Sequence, residues 1–358
     1  MKVLHVVSEP GPAGRGVPQK VRRTVETWRR LGVDADFIDM ATGDIGHSGT
    51  GVAEPHRPRL RAGWLVEMHR RTQRVRRVLD AVRPDLVYTR ELLWSPGLRS
   101  MLADHRTVIE VNSDRGEELR SRSRLASAFW RMTAPGLRHR AAGLVCVTEE
   151  LASRVRAPGV PSVVIGNAID VSAAAPRRSA SSERPLVLML VGGAAPWQGV
   201  DRFASLSEAM PEFEFAVCGD ASPDLADLPA SVRIIEARSG PDLEDLLAGT
   251  TVAFGTMALS RKGMVEACPL KSRTSLAAGI PIVYAYDDPA LRGDEPFALR
   301  IEDREIQTPA AIEEIRGFIR AASERPRMGA EAWEFARRKL DVGIAEGDRI
   351  RFFESILA

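Results

Sequence analysis

Short apolar runs alternate with helical patterns along the whole chain. In the first half, the apolar runs predict strands at 3–7, 35–39, 86–89, 107–111, 143–147 and 162–165, with helices at 19–31, 63–82 and 116–134. In the second half they predict strands at 186–191, 214–218, 232–236, 252–255 and 282–285, followed by helices at 309–322, 327–339 and 348–357. This alternation is typical of α/β proteins with parallel sheets.

The chain has 358 residues, which fits two domains better than one. Segment 171–185 is rich in Ala, Ser, Arg and Pro and has no periodicity, so it predicts a linker. We therefore expect an N-terminal domain at 1–170, a C-terminal domain at 186–340 and a final helix within 341–358. In domains of this class, ligands bind at the carboxyl ends of the strands.

Charge divides unevenly between the two halves, although the net charge is only +2. Residues 1–170 contain 28 Lys and Arg against 19 Asp and Glu, whereas the remainder contains 22 against 29. The basic first half suggests an anionic membrane surface, a phosphorylated acceptor or the acidic second half as its partner. Nucleic acid is disfavoured, because no binding motif with interleaved aromatic residues accompanies the charge.

Two basic segments raise the question of membrane contact. Segment 57–83 contains nine arginines and no lysine, and segment 120–140 adds further arginines together with Phe129 and Trp130. Such patterns are typical either of a solvated helix or of an amphipathic helix that docks on anionic lipid. No apolar run approaches the length of a membrane span, and the chain begins with a strand-like run. We expect a cytoplasmic protein, with peripheral contact at the inner face of the membrane as the second option.

No metal or redox cofactor is expected from the sequence. Cys146, Cys218 and Cys268 are an odd, widely spaced set, which indicates reduced thiols rather than a disulfide or zinc framework. The Asp34-Ala-Asp36 triplet has the spacing of a metal-binding motif, but its position after Gly32 favours a polar strand end. Without a His or Cys cluster, a metal site is disfavoured.

Segment 266–283 carries the most informative pattern in the chain. It places the carboxylate of Glu266, a short turn containing Pro269 and Lys271, a small-residue helix and a buried strand in quick order. The turn would aim backbone N–H groups, a helix dipole and an ammonium group at one point, which suits a phosphate. Glu266 lies beside that point and can accept hydrogen bonds from sugar hydroxyls. The pattern predicts a nucleotide-sugar site.

A glycine-rich loop follows the first strand of each half. The first has Gly11, Gly14 and Gly16 before a helix, which favours a loop that faces a ligand over a plain surface loop. Its spacing is not the dinucleotide fingerprint, so NAD and FAD are disfavoured. The second loop, at 191–201, contains Gly192, Gly193 and Gln198.

Polar side chains also collect where two inner strands of the first half end. They are Arg90, Glu110, Asn112 and Glu118. The family resemblance described below implies that they lie on the acceptor side of the site. For Glu117 and Glu118, a solvated first turn of a helix is the alternative, since the helix dipole favours acidic residues there.

The order of these motifs resembles that of the GT4-type retaining glycosyltransferases of GT-B fold, over nearly the whole chain. Segment 266–283 resembles the family's donor-binding segment, and Asn167-Ala-Ile-Asp170 resembles the signature that ends its first domain. The resemblance implies two Rossmann-like domains facing a cleft, with the last helix crossing back to the first domain. It implies a nucleotide-sugar donor on the C-terminal domain, an acceptor on the N-terminal domain, and metal-free transfer without a protein nucleophile.

The resemblance also assigns residues to roles. Glu266 and Lys271 would be catalytic, and the donor would be bound by Gly16, Gly192, Gly193, Gln198, Ala267, Cys268, Pro269, Leu270, Arg273 and Thr274. For Arg273, a phosphate contact and a solvent-facing helix position are equally compatible with the sequence.

The chain departs from the family pattern at three positions. Gly193 and Gln198 replace an arginine and a lysine that neutralise the donor diphosphate, and Thr274 replaces a second glutamate that holds the ribose. Backbone amides and Lys271 would then carry the phosphate charge. These losses leave two alternatives open, which are a GT-B binding or scaffold protein without catalysis and a related sugar-nucleotide enzyme such as an epimerase or a non-glycosidic coupling enzyme.

Overall fold

The computed structural model describes residues 1–7, 16–46, 63–121, 123–171, 184–192, 195–219 and 228–358, with backbone only at 16–19 and 63–65. The chain forms two compact units, Met1–Ile165 with Gly343–Ala358, and Gly166–Val342. Most of the predicted linker, at 172–183, and the first part of the glycine loop, at 8–15, lie outside the described residues.

The first unit is built on a six-stranded parallel sheet. Its strands are β1 (Lys2–Val7), β2 (Asp34–Asp39), β3 (Leu86–Arg90), β4 (Thr107–Val111), β5 (Gly143–Cys146) and β6 (Ser162–Val164). They are ordered β2-β1-β3-β4-β5-β6, and all pairs are parallel. Asp34 and Asp36 open β2, as the sequence predicts. Because parallel neighbours need crossover connections, the helices between the strands cover the faces of the sheet.

Those helices are α1 (Gly16–Arg30), α2 (Gly63–Val82), α3 (Pro96–Asp104), α4 (Arg115–Arg120), α5 (Arg124–Arg138) and α6 (Glu149–Arg154). The single helix predicted at 116–134 is wrong, because two helices occupy that segment. Ser123 has extended backbone and its hydroxyl accepts from Ala126 N, so it caps a new helix.

The second unit repeats the architecture. Its strands are β7 (Leu186–Val191), β8 (Glu214–Gly219), β9 (Val232–Glu236), β10 (Thr250–Phe254), β11 (Ile282–Tyr284) and β12 (Ala298–Arg300), ordered β12-β11-β10-β7-β8-β9 and parallel throughout. Its helices are α7 (Val200–Ala209), α8 (Pro241–Ala248), α9 (Leu270–Ala277), α10 (Pro309–Glu324) and α11 (Pro326–Phe335). The sequence does not reveal β12, because three residues are too few for a periodic signal.

The last helix, α12 (Val342–Leu357), belongs to the first unit although it ends the chain. Phe353 is fully buried and packs edge-on against Trp28, with ring centroids 5.4 Å apart. Ile350 also joins the core of the first unit. The predicted return of the final helix to the N-terminal domain is therefore confirmed. No helix in the described parts of the chain is long and apolar enough to cross a membrane.

Candidate functional site

Three connections meet at the carboxyl edge of the second sheet, because β11, β10 and β7 are neighbours and parallel. The connections after β7 and β10 bond to each other, since Met257 N donates to Gln198 O at 3.0 Å and Ala258 N donates to Trp197 O at 3.2 Å. Gly199 ends the first of them with φ of 74°. A Cβ at Gly199 would lie 2.7 Å from the Cβ of Met257, so only glycine fits this approach.

Lys271 reaches this edge from the first turn of α9. Its Nζ donates to Gln198 Oε1 at 2.7 Å and lies 3.6 Å from where a Cβ on Gly192 would stand. Among the described residues, no carboxylate forms an ion pair with this ammonium group. Burial lowers the pKa of Lys271 from 10.5 to about 7. A buried cation without a protein counter-ion is a binding point for an anion.

The amino end of α9 adds backbone donors at the same place. Pro269 precedes the helix and supplies no side-chain cap, so the first-turn N–H groups are not satisfied by a capping residue. The position of the helix is fixed from the interior, where the hydroxyls of Ser272 and Tyr286 are 2.7 Å apart. The N–H groups, the helix dipole and Lys271 together form an arrangement suited to a phosphate.

Glu266 lies just before this turn, in a segment that pairs with the chain after β11. Ala267 N donates to Asp287 O at 3.0 Å, and Asp287 N donates to Val265 O at 2.8 Å. The two bonds fix the backbone on both sides of Glu266, whose side chain is partly exposed. The backbone at Glu266 is thus fixed just before the phosphate-type site rather than lying in a loose surface loop.

The turn at Cys268, Pro269 and Leu270 is anchored by Asn167. The Asn167 side chain donates from Nδ2 to the carbonyl of Cys268 at 2.7 Å, and its backbone N–H donates to Cys268 Sγ at 3.0 Å. Burial raises the pKa of the Cys268 thiol, so the sulfur is an uncharged, inert group. Cys268 therefore shapes the turn through its backbone.

Arg273, a predicted donor-binding residue, lies in the interior, which rules out the solvent-facing alternative. It is 1% exposed, and its guanidinium forms a bidentate ion pair with Asp288 at 2.6 and 2.7 Å. Its Nε donates to Asn167 O at 3.2 Å, and Nη2 also contacts Cys268 Sγ at 3.0 Å. Each of its three nitrogens contacts protein atoms in the interior, so Arg273 does not face solvent and holds α9 in place.

Thr274 lies one turn into α9 and is partly buried. Its hydroxyl donates to the carbonyl of Leu270 at 3.0 Å, inside its own helix. The hydroxyl oxygen keeps only acceptor capacity, which is less than the two oxygens that a carboxylate offers to a diol.

In the first unit, Glu110, a predicted acceptor-side residue, is part of a buried charge cluster. It is 2% exposed, and Lys20 Nζ donates to its Oε1 at 2.8 Å, while Arg349 of α12 lies 3.7 Å from the same oxygen. Burial by itself would raise the pKa of Glu110, but Lys20 and Arg349 together hold it well below its usual range. Glu110 is therefore a fixed anion of the core.

The other predicted acceptor-side residues lie closer to the surface. Arg90 ends β3 in register with Glu110, and Asn112 follows β4, with its Oδ1 3.5 Å from Lys20 Nζ. Glu118 stands in the first turn of α4, where it accepts from Ser113 Oγ at 2.6 Å. Arg90 and Asn112 thus flank the charge cluster, whereas Glu118 belongs to a separate turn.

Several residues in these clusters were not predicted. Lys20 and Arg349 pair with Glu110 across long sequence separations, and no local pattern signals such pairs. Near the second-unit site, Lys262 is 6% exposed and its Nζ lies 4.8 Å above the Trp197 ring. Trp197 lies in the glycine-rich loop at 191–201, and that loop is the sequence signal that predicted the second-unit site. Of the predicted loop glycines, Gly16 is the first residue of α1 and Gly193 lies outside the described residues.

Comparison with solved structures defines the fold. Sucrose-phosphate synthase from Thermosynechococcus elongatus matches with a TM-score of 0.77 and 12% identity, over 99% of this chain and 98% of that one. The Anabaena protein Alr3699/HepE, solved in complex with UDP-glucose, matches with a TM-score of 0.68 and 17% identity, over 99% of this chain and 100% of that one. A glycosyltransferase from Rickettsia africae matches with a TM-score of 0.65 and 11% identity, over 99% and 98%. The chain has the GT-B fold.

The sequence comparison adds a match to a family model. Residues 14–173, less than half of the chain, match the model of Glycosyltransferase Family 4. No curated protein matches the sequence. The resemblance inferred from the motifs is confirmed, and the family domain and the fold together support a glycosyltransferase.

Proposed function

We propose that the protein is a retaining, metal-independent glycosyltransferase that moves a sugar from a nucleotide-diphosphate donor to a glycan, a lipid-linked molecule or a small molecule. The observation that carries the proposal is the ammonium of Lys271, which forms no ion pair with a carboxylate of the described residues and lies beside the uncapped amino end of α9. A scaffold has no need for a cation whose pKa is lowered by burial, because such a group weakens the fold.

Lys271 takes the role of the missing family lysine in this proposal. Gln198 stands where the family resemblance places that lysine, and its amide oxygen accepts the hydrogen bond from Lys271. The positive charge therefore reaches the same loop from α9 instead of from the loop itself. There it would neutralise the leaving diphosphate, together with the backbone N–H groups.

Glu266 would hold hydroxyls of the transferred sugar. Its position follows from the paired backbone at Ala267 and Asp287. In transfer with retention, the acceptor oxygen attacks the face that the diphosphate leaves, and the leaving phosphate accepts the acceptor proton. This route needs no protein nucleophile, so the residues of the site bind, orient and stabilise charge.

Metal independence belongs to the proposal as well. Within the described residues, no three His, Cys, Asp or Glu side chains converge as ligands. The charge on the diphosphate is then matched by Lys271 and the helix end alone. A binding measurement with EDTA tests this part directly.

A binding or scaffold protein without catalysis is the second candidate. Thr274 favours it, because its hydroxyl is turned to Leu270 O and offers little to a ribose. The two functions differ in turnover and not in donor binding, so both quantities have to be measured.

The first experiment measures calorimetric binding of UDP, GDP, ADP, dTDP, CDP and UDP-glucose, with and without EDTA. Anabaena Alr3699/HepE was solved with UDP-glucose, which makes that compound a rational first probe. We expect one nucleotide to bind and EDTA to have no effect. Binding that needs a divalent ion would contradict the metal-free part, and binding without any donor hydrolysis or transfer would favour the scaffold.

The variant Glu266→Gln separates sugar contacts from nucleotide contacts. Turnover, measured as nucleotide release from the sugar donor, should fall about 100-fold, because transition-state contacts to sugar hydroxyls are weakened. Binding of the bare diphosphate should be unchanged. Glu244→Gln, on an exposed position of α8, is the matched control and should behave as the wild type. Wild-type turnover in Glu266→Gln would remove the assignment.

A further inference from the structure

Helix α5 exposes apolar side chains on the side that faces away from its core. Leu125 is 80% exposed and Met132 is 75% exposed, and they are the two most exposed large hydrophobic side chains in the described parts of the chain. They are seven residues apart, so they lie on one face of the helix. Ala126, Trp130 and Ala134 occupy the opposite face and are buried.

Two aromatic rings extend this face. Phe129 lies between Leu125 and Met132 on the helix and is half-buried, and its ring meets Trp94 edge-on with centroids 6.2 Å apart. Trp94 is half-buried as well. We refer to Leu125, Phe129, Met132 and Trp94 as the α5 outer face. It combines aliphatic side chains with an indole ring, a composition favoured at the boundary between lipid and water.

Positive charge surrounds the α5 outer face. Segment 115–140 contains seven arginines and only two glutamates. Arg120 and Arg131 share one carboxylate, that of Glu117. In the described part of the chain, Arg124 and Arg140 form no ion pair with a carboxylate, and both are exposed. The face is therefore an apolar strip with an excess of cations at its borders.

Helix α2, the other arginine-rich segment, is different. Arg71 and Arg74 pair with Glu67, and Arg76 pairs with Asp104 at 2.6 Å. Arg70 and Arg77 of α2 are nevertheless exposed and form no ion pair with a described carboxylate, so charge alone does not separate the two segments. The sequence pointed first to segment 57–83 and second to segment 120–140. The exposed apolar side chains favour α5, because Leu125 and Met132 are 80% and 75% exposed, whereas Val66 of α2 is 50% exposed.

We propose that the α5 outer face docks the protein on an anionic lipid bilayer. The apolar side chains would enter the region between headgroups and acyl chains, while Arg124 and Arg140 contact anionic headgroups. A second copy of the chain fits this surface less well, since pairing two such faces would bring their excess cations together. The inference does not depend on the transferase reaction, because binding needs neither donor nor turnover.

The test is co-sedimentation of the full chain with vesicles of phosphatidylcholine mixed with phosphatidylglycerol, and with vesicles of phosphatidylcholine alone. The wild type should bind the anionic vesicles, lose binding in high salt, and bind the neutral vesicles weakly. The double variant Leu125→Gln with Met132→Gln should bind at least tenfold more weakly, because it removes two apolar insertions without changing charge. The double variant Arg124→Gln with Arg140→Gln should lose the preference for anionic lipid.

Ile234→Gln is the matched control, because Ile234 is 48% exposed and lies on β9 of the second unit. It should bind as the wild type, and thermal unfolding should show that every variant is folded. Undiminished binding by the Leu125, Met132 variant would overturn the proposal, as would absence of wild-type binding or equal binding to neutral vesicles. A wild-type dimer that the same variant dissociates, seen by sedimentation velocity without lipid, would assign the face to self-association instead.

Discussion

At the scale of single residues, Lys271 decides how the site handles charge. Burial removes water from its ammonium without supplying a carboxylate, so the charged form is disfavoured until an anion arrives. Under the proposed function, a bound diphosphate would reverse this balance and keep the lysine protonated. Donor binding and protonation of Lys271 should then be linked.

The affinity for a nucleotide sugar should fall as pH rises above 7. UDP-glucose is a suitable probe, since its phosphates are already fully ionised near neutral pH. Because the free enzyme has the pKa of Lys271 at about 7, affinity should be constant below pH 7 and fall up to about tenfold per pH unit above it. Titration calorimetry across this range checks the slope.

The variant Lys271→Met should bind weakly and lose this pH dependence, whereas Lys339→Met, at an exposed lysine of the same unit, should keep it. Lys271→Met should also change how the free energy of unfolding depends on pH. The folded state binds fewer protons than the unfolded state between pH 7 and 10.5, so the stabilisation gained by Lys271→Met should shrink as pH rises through that window. If the binding affinity of Lys271→Met kept the wild-type dependence on pH, the titration would belong to another group.

Gly199 is a second residue that determines the shape of the site, because it has no side chain. Gly199→Ala places a Cβ 2.7 Å from Met257 Cβ in backbone with φ of 74°, so we expect a loss of about 1–3 kcal/mol in the free energy of unfolding. Gly317→Ala, in exposed α10 with no atom within 4 Å of its new Cβ, should instead gain about 0.5–1 kcal/mol. Urea unfolding measures both, and equal stabilities would show that the loop relaxes freely.

At the scale of elements, α9 is held by an ion pair that the sequence does not reveal. Asp288→Ala leaves the Arg273 guanidinium buried and uncompensated, so we expect a loss of about 3–5 kcal/mol in unfolding free energy. The neighbouring Asp287 pairs with Arg300 at the surface, and Asp287→Ala should cost only about 0–1 kcal/mol. Chemical denaturation of the two variants gives the comparison, and similar losses would contradict the structural role of Arg273.

The elements also show how far the sequence alone reaches. Apolar runs such as those of β7 and β4 predict strands, because a parallel strand covered on both faces is apolar along its length. The turn at Pro269 and Lys271 is likewise readable, since its residues are contiguous. The ion pairs of Arg273 and Glu110 were not predicted, because their partners are distant in sequence and only the fold brings them together.

At the scale of the whole molecule, the first unit is completed by the last residues of the chain. Glu346 of α12 is buried, accepts from Trp28 Nε1 at 2.6 Å and pairs with Arg349, which in turn lies beside Glu110. The N-terminal sheet and the C-terminal helix thus share one network of charges and one aromatic core. The first unit cannot reach its full stability until residues 343–358 have been synthesised.

The variant Glu346→Ala should therefore weaken the first unit strongly, although residue 346 is remote from that unit in sequence. It removes the partner of Arg349 and of the Trp28 indole, and a buried cation that loses its partner costs about 3–5 kcal/mol. Glu354→Ala, exposed on the same helix, should be nearly neutral. Urea unfolding of the two variants measures the difference in the free energy of unfolding. If the two variants unfold alike, α12 is an appendage rather than a part of the first unit, and the charge network contributes little to its stability.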